Sequence, residues 1–275
     1  MFVSERVVYL ELHKTGCSHI RNVFNDILYG KLVGKHNQAT QDLFTEERIF
    51  VGSVRNPWDW YVSLWGFGCD KKGGLYGRLT NPRTHGLREL GWRTAPFNAL
   101  VKLLKQRPRS DNSQAWLATY RNANDPAAFR DWLHMLHDQA YIPDIGEGYS
   151  DCALSKVAGL MTFRYLKLFS IRKAENSQLQ GLSTQSEIEV WDAEHTFVDA
   201  FIRNESLEAD IFRIFDEHDI ALSSEKRAHI LTLQKTNTSS RNRDFASYYD
   251  PATVELVAKR EQLIINKFAY EPPEL

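Results

Sequence analysis

Two short apolar runs constrain this chain more than any other feature. Residues 7–12, VVYLEL, and Ile49–Val54, IFVGSV, are each continuous enough for a strand buried on both faces. Between them, residues 18–28 carry apolar side chains at every third or fourth position, the pattern of a helix packed on one side. Strand, loop, helix and strand within the first 54 residues predict parallel pairing, because parallel neighbours need a crossover. The expected fold class is therefore α/β, with a central parallel sheet flanked by helices. Further along, apolar spacing predicts helices over 197–218 and 251–268, while residues 66–109, rich in Gly, Pro and Arg, predict irregular chain. No repeat or linker divides the sequence, so residues 1–275 are expected to form one domain, with a variable region over about 66–163.

Bulk numbers narrow the partners. With 43% hydrophobic and 25% charged residues the chain has ample apolar mass for a core, and a formal charge of −1 argues against a general nucleic-acid binder. No apolar run is long enough for a membrane span, and MFVSERVVYLEL lacks the order of a secretory signal. Cys17, Cys69 and Cys152 are odd in number and widely spaced, which fits neither a disulfide framework nor a close-set zinc site. A cytoplasmic protein with no metal is the expectation; the sequence leaves its oligomeric state open.

The loop HKTGCS joins the first strand to the first helix. Free N–H groups at a helix N-terminus point into such a loop, and the helix dipole favours an anion there. Lys14 adds a mobile cation, Thr15 and Ser18 add hydroxyls, and Gly16 lets the backbone approach a ligand. The stretch GKLVGKH, residues 30–36, has the wrong glycine spacing for a nucleotide loop, with His36 where a magnesium-binding hydroxyl would stand. A second candidate site follows the second strand. Arg55 stands at its carboxyl end, and Asn56 and Pro57 suit the cap and first turn of a helix that carries Ser63. Open α/β sheets bind ligands at this edge, and a guanidinium fork suits phosphate.

Together, HKTGCS and RNPWDWYVS resemble the two phosphate-gripping elements of the sulfotransferases that use 3′-phosphoadenosine 5′-phosphosulfate, in their carbohydrate and bacterial branches. The resemblance implies a P-loop-like three-layer fold. It implies that Lys14, Thr15, Gly16, Cys17 and Ser18 hold the 5′-phosphosulfate, and that Arg55 and Ser63 hold the 3′-phosphate. Residues 201–215, FIRNESLEADIFRIF, are similar to a helix start of those branches in which Glu205 is structural. Residues 236–257 are similar to a segment that closes over the nucleotide, which would bring Asn237, Ser239 and Arg241 to the 3′-phosphate. The chain departs from the family at His13, where Pro is usual, and at Cys17, where a hydroxyl is usual; a thiol is a poor donor.

The implied reaction moves a sulfuryl group in line from phosphate oxygen to an acceptor hydroxyl or amine. Lys14 suits the charge growing on the leaving phosphate. His36, whose ordinary pKa lies near neutrality, is the expected base, with His13 and His19 as rivals. Residues 70–109 hold ten Lys or Arg against Asp70 and Glu89, as an acceptor cleft for an anionic substrate would, or simply as a solvated face. Trp58, Trp60, Trp65 and Trp92 offer sugar-stacking surfaces or core packing. The resemblance implies a glycan or glycolipid acceptor. The alternatives are a non-catalytic nucleotide- or glycan-binding descendant and, less favoured, a nucleotide-dependent kinase.

Overall fold

The computed structural model describes residues 1–81, 112–171, 178–233 and 244–275. Five strands form one sheet: β1 (Phe2–Ser4), β2 (Val7–Tyr9), β3 (Gly30–Leu32), β4 (Ile49–Val54) and β5 (Ala200–Arg203), in the order β3-β1-β2-β4-β5. The sheet is mixed, which corrects the expectation of a parallel one. β2, β4 and β5 run parallel, in register Val7↔Ile49 and Val51↔Ala200, whereas β1 is antiparallel to both β2 and β3. The reversal is a local hairpin. The Ser4 hydroxyl accepts from the Val7 amide at 2.9 Å and donates to the Val7 carbonyl at 3.1 Å, closing the turn between β1 and β2.

Alternation along the strands separates two cores. Val7, Tyr9, Val51 and Ile202 face α1 (Cys17–Ile27) through Ile20, Val23 and Phe24, and face a later helix (Leu207–Glu217) through Ile211 and Phe215. Val8, Leu10, Phe50 and Val54 face the opposite way, into a larger core. That core contains α2 (Pro57–Cys69), α3 (Gly74–Thr80) and the helices Pro126–His137, Leu160–Phe169 and Pro251–Arg260. The arrangement is therefore helices, sheet, helices.

Other elements differ from the sequence reading. The predicted helix over 197–218 begins as strand β5, and its helical part is Leu207–Glu217. The edge of β4 decides this. Asp199 donates its amide to the Phe50 carbonyl at 2.9 Å and accepts the Phe50 amide on its carboxylate at 2.7 Å, which draws the following residues into the ladder. Residues 74–80, expected to be irregular, are helical. Trp58, Trp60 and Trp65 are buried in the core rather than presented to a sugar. Trp92 and most of the basic segment lie outside the described residues.

Candidate functional site

The carboxyl ends of the three parallel strands meet at one edge of the sheet. β2 leads into the loop His13–Gly16, β4 into Arg55 and Asn56, and β5 into Asn204 and Glu205. Hydrogen bonds join the three. The Arg55 guanidinium donates to the Lys14 carbonyl at 3.1 Å, and the Asn56 amide donates to the Glu205 carboxylate at 2.7 Å. Gly16 lies so close to Asn204 that a Cβ there would meet its side-chain oxygen at 2.8 Å. At φ 76° Gly16 is also left-handed, so the position requires glycine on two counts.

Gly16 stands at the N-cap of α1 and has no side chain with which to bond the first amides of the helix. Cys17 and Ser18, half-buried, form that first turn. Thr15 is buried, and its hydroxyl is engaged by the Leu12 carbonyl at 2.8 Å and by Ser53 at 2.6 Å; it fastens the loop to β4 rather than facing outward. Lys14 has a left-handed backbone, φ 63°, and its ammonium lies 4.1 Å from the centre of the Phe67 ring on α2. Arg55 is braced by Asp59, one turn into α2, with Nε to carboxylate at 2.7 Å. Asn56 caps that helix by accepting from the Trp58 and Asp59 amides at 3.0 and 3.4 Å. Ser63 is 5% exposed on α2, about 9 Å along the axis from Pro57 at roughly 1.5 Å per residue. A ligand that reaches it must lie alongside α2. Asn237, Ser239 and Arg241 fall outside the described residues.

The histidines separate clearly. His13 and His36 stack, with ring centres 3.5 Å apart and planes 14° from parallel. His36 places Nδ1 at 2.7 Å from the Glu11 carbonyl, so Nδ1 carries the proton and Nε2 is left to accept one. Burial lowers the His36 pKa below its ordinary 6.5, with Arg164 adding to the effect. Burial, then Arg164 and His36, lower His13 further, to about 2. His19 is buried against the other core, with Nε2 3.9 Å from Glu208. His36 is thus neutral at pH 7 with Nε2 as its accepting nitrogen, while His13, at about 2, is too weak a base.

Glu11, Cys17 and His36 each bring one possible metal-ligand atom within 4.8 Å of the others. The Glu11 carboxylate already has cations beside it, the Met1 ammonium at 2.8 Å and Arg21 at 3.9 Å. Burial raises the Cys17 thiol, which keeps it protonated and a weak ligand at neutral pH.

A third group borders this site that the sequence did not single out. Glu147, Arg78 and Arg164 form a buried ionic cluster, and the Trp60 ring lies between Arg164, 5.9 Å away, and the His13 carbonyl, which accepts from Trp60 Nε1 at 2.5 Å. Two sequence signals mark the cluster. Arg164 is a lone arginine within the apolar helix LMTFRYLKLF, and Glu147 sits between two glycines in IGEGY. No family model matches the chain, and neither a curated protein nor a solved structure does.

Proposed function

We propose that this chain is a sulfotransferase of P-loop-like fold. It transfers a sulfuryl group from 3′-phosphoadenosine 5′-phosphosulfate to a hydroxyl or amine, with a glycan or glycolipid as acceptor. The observation that carries the reading is the junction of the two cationic elements, Arg55 on the Lys14 carbonyl, at the carboxyl edge of adjacent parallel strands. The donor suits this edge. Its 5′ end carries charge that matches Lys14 and the N-terminus of α1, and its 3′-phosphate matches Arg55. Glu205 on the Asn56 amide holds the turn that presents Arg55, a structural role.

The chemistry asks little of the protein beyond placement and charge. A bond forms between the acceptor oxygen and sulfur as the bond from sulfur to phosphate oxygen breaks. The acceptor proton passes to Nε2 of His36, and adenosine 3′,5′-bisphosphate leaves with its new charge facing Lys14.

Titrating the full chain with adenosine 3′,5′-bisphosphate in the presence of a chelator tests the reading. Saturable binding is expected, weakened ~10-fold or more by Arg55→Ala through loss of a charge-assisted contact. Absence of saturable binding sinks the proposal. Radiolabelled donor incubated with glycans and glycolipids then separates transfer from binding alone.

A further inference from the structure

A chain of buried hydroxyls runs beneath the loop between β2 and α1. Tyr9 on β2, Ser53 on β4 and Thr15 in the loop are each 0% exposed. Tyr9 Oη lies 2.8 Å from Ser53 Oγ, Ser53 Oγ lies 2.6 Å from Thr15 Oγ1, and Thr15 Oγ1 donates to the Leu12 carbonyl at 2.8 Å. A carbonyl only accepts, so Thr15 gives its one proton to Leu12 and accepts from Ser53. Ser53 must then accept from Tyr9, whose phenol burial holds well above its ordinary pKa of 10. Every bond of the chain therefore has one direction, and every hydroxyl proton is used. What the chain holds is an unfavourable backbone. Thr15 stands between two left-handed residues, Lys14 at φ 63° and Gly16 at φ 76°, and for Lys14 that conformation persists only where neighbours fix it. β4 and the residue after it fix both sides: Ser53 holds the Thr15 side chain, and Arg55 holds the Lys14 carbonyl at 3.1 Å. At the far end Tyr9 meets Phe24 of α1 edge-on, with ring centres 5.4 Å apart.

We propose that Tyr9 and Ser53 are positioning residues for the 5′ end of the nucleotide: through Thr15 they set the backbone that presents Lys14 and the first turn of α1 to the leaving phosphate. The role rests on the sulfuryl-transfer reading. Thr15 then serves the site through the shape of the loop, since its proton belongs to Leu12 and is not free for the phosphosulfate. Neither Tyr9 nor Ser53 touches the ligand.

Two nucleotides, titrated into the full chain, read the two ends separately. Adenosine 3′,5′-bisphosphate engages both, whereas adenosine 3′-monophosphate lacks the 5′-phosphate and reads the Arg55 end. The parent should favour the bisphosphate ~10-fold or more, the scale of a charge-assisted contact. Ser53→Ala breaks the chain at its middle and should cut that preference about 5-fold, the weight of one ordinary hydrogen bond, while affinity for the monophosphate holds. Tyr9→Phe leaves the Ser53–Thr15 bond in place and should cut it less. Ser53→Ala also leaves the buried Tyr9 hydroxyl without an acceptor and should unfold at lower urea than the parent. Combining Tyr9→Phe with Ser53→Ala removes that stranded donor, so the double variant should regain stability without regaining the preference. It decides the matter if Ser53→Ala does not fold. A parent that binds the two nucleotides equally, a preference intact in Ser53→Ala or in the double variant, or an equal loss of both affinities overturns the positioning role and leaves the sulfuryl-transfer reading standing. A parent that binds neither nucleotide overturns both.

Discussion

At the scale of single residues, the two stacked histidines carry the sharpest consequence. His36 has a fixed tautomer from the Glu11 carbonyl and a pKa lowered chiefly by burial, so it is unprotonated throughout the neutral range. Replacing it with alanine should lower turnover by ~10²–10⁴, the usual contribution of a positioned base, while product-nucleotide affinity stays as it was. The sign of the pH dependence follows. Turnover should be level around neutrality and fall on the acid side, below 6.5, as Nε2 takes up a proton; the His36→Ala rate should lack that acid limb. A variant with full turnover, or with the same limb, removes His36 as the base. His13→Ala is expected to act differently, because its carbonyl rather than its ring holds Trp60, and a base of pKa about 2 has little catalytic use.

At the scale of elements, the C-terminal helices show what a sequence pattern hides. Residues 251–268 read as one helix, yet the structure breaks it at Glu261 into Pro251–Arg260 and Gln262–Phe268. Neither Gly nor Pro marks the break, so nothing local announces it. Its cause is tertiary. The buried Glu261 carboxylate accepts from the Thr162 amide at 2.8 Å, the Thr162 hydroxyl at 2.6 Å, the Met161 amide at 3.2 Å and the Tyr61 hydroxyl. It therefore supplies the N-terminal cap of the helix that carries Arg164, where Gly159 leaves room: a Cβ there would lie 2.0 Å from the carboxylate. Glu261→Ala should cost about 3 kcal/mol, since it strands several buried donors at once. Urea unfolding measures this, and a loss under about 1 kcal/mol, the net worth of one ordinary hydrogen bond, would show that the carboxylate is dispensable. By contrast α2 was legible in full at its start, because Asn56 and Pro57 announce the cap and first turn. Strand β5 was not, because a four-residue apolar run fits a helix or a strand until β4 offers its edge. The loop after β2 and Arg55 after β4 could be found from their neighbours in sequence. Glu147 and Arg164 could not be joined by spacing, since only packing brings them together.

At the scale of the whole molecule, neutral histidines, His137 buried and His13 and His36 half-buried, link folding to pH. Burial lowers His13 to about 2 and His137 to about 3, and it lowers His36 as well. The unfolded chain protonates all three near their ordinary 6.5. Below that pH it binds protons that the folded chain refuses, so stability is full above 6.5 and is lost as pH falls. At pH 5, His13 and His137 should each account for about 2 kcal/mol of loss. Glu261 works the other way: burial raises its pKa to about 6, and its protonation in the folded state returns about 1 kcal/mol at pH 5. His13, His137 and Glu261 together therefore give a net loss of roughly 3 kcal/mol between pH 7.5 and pH 5, to which His36 adds, before the carboxylates lowered by ion pairing begin to titrate. His137 isolates the effect, because both ring nitrogens are buried without partners and the ring packs edge-on against Tyr61 at 5.5 Å. His137→Phe keeps that packing and removes the titrating group. The variant should match or exceed the parent at pH 7.5 and recover about 2 kcal/mol of the acid loss, as measured by urea unfolding at both pH values. If its stability falls with pH as steeply as the parent's, His137 is not the group that couples proton uptake to unfolding.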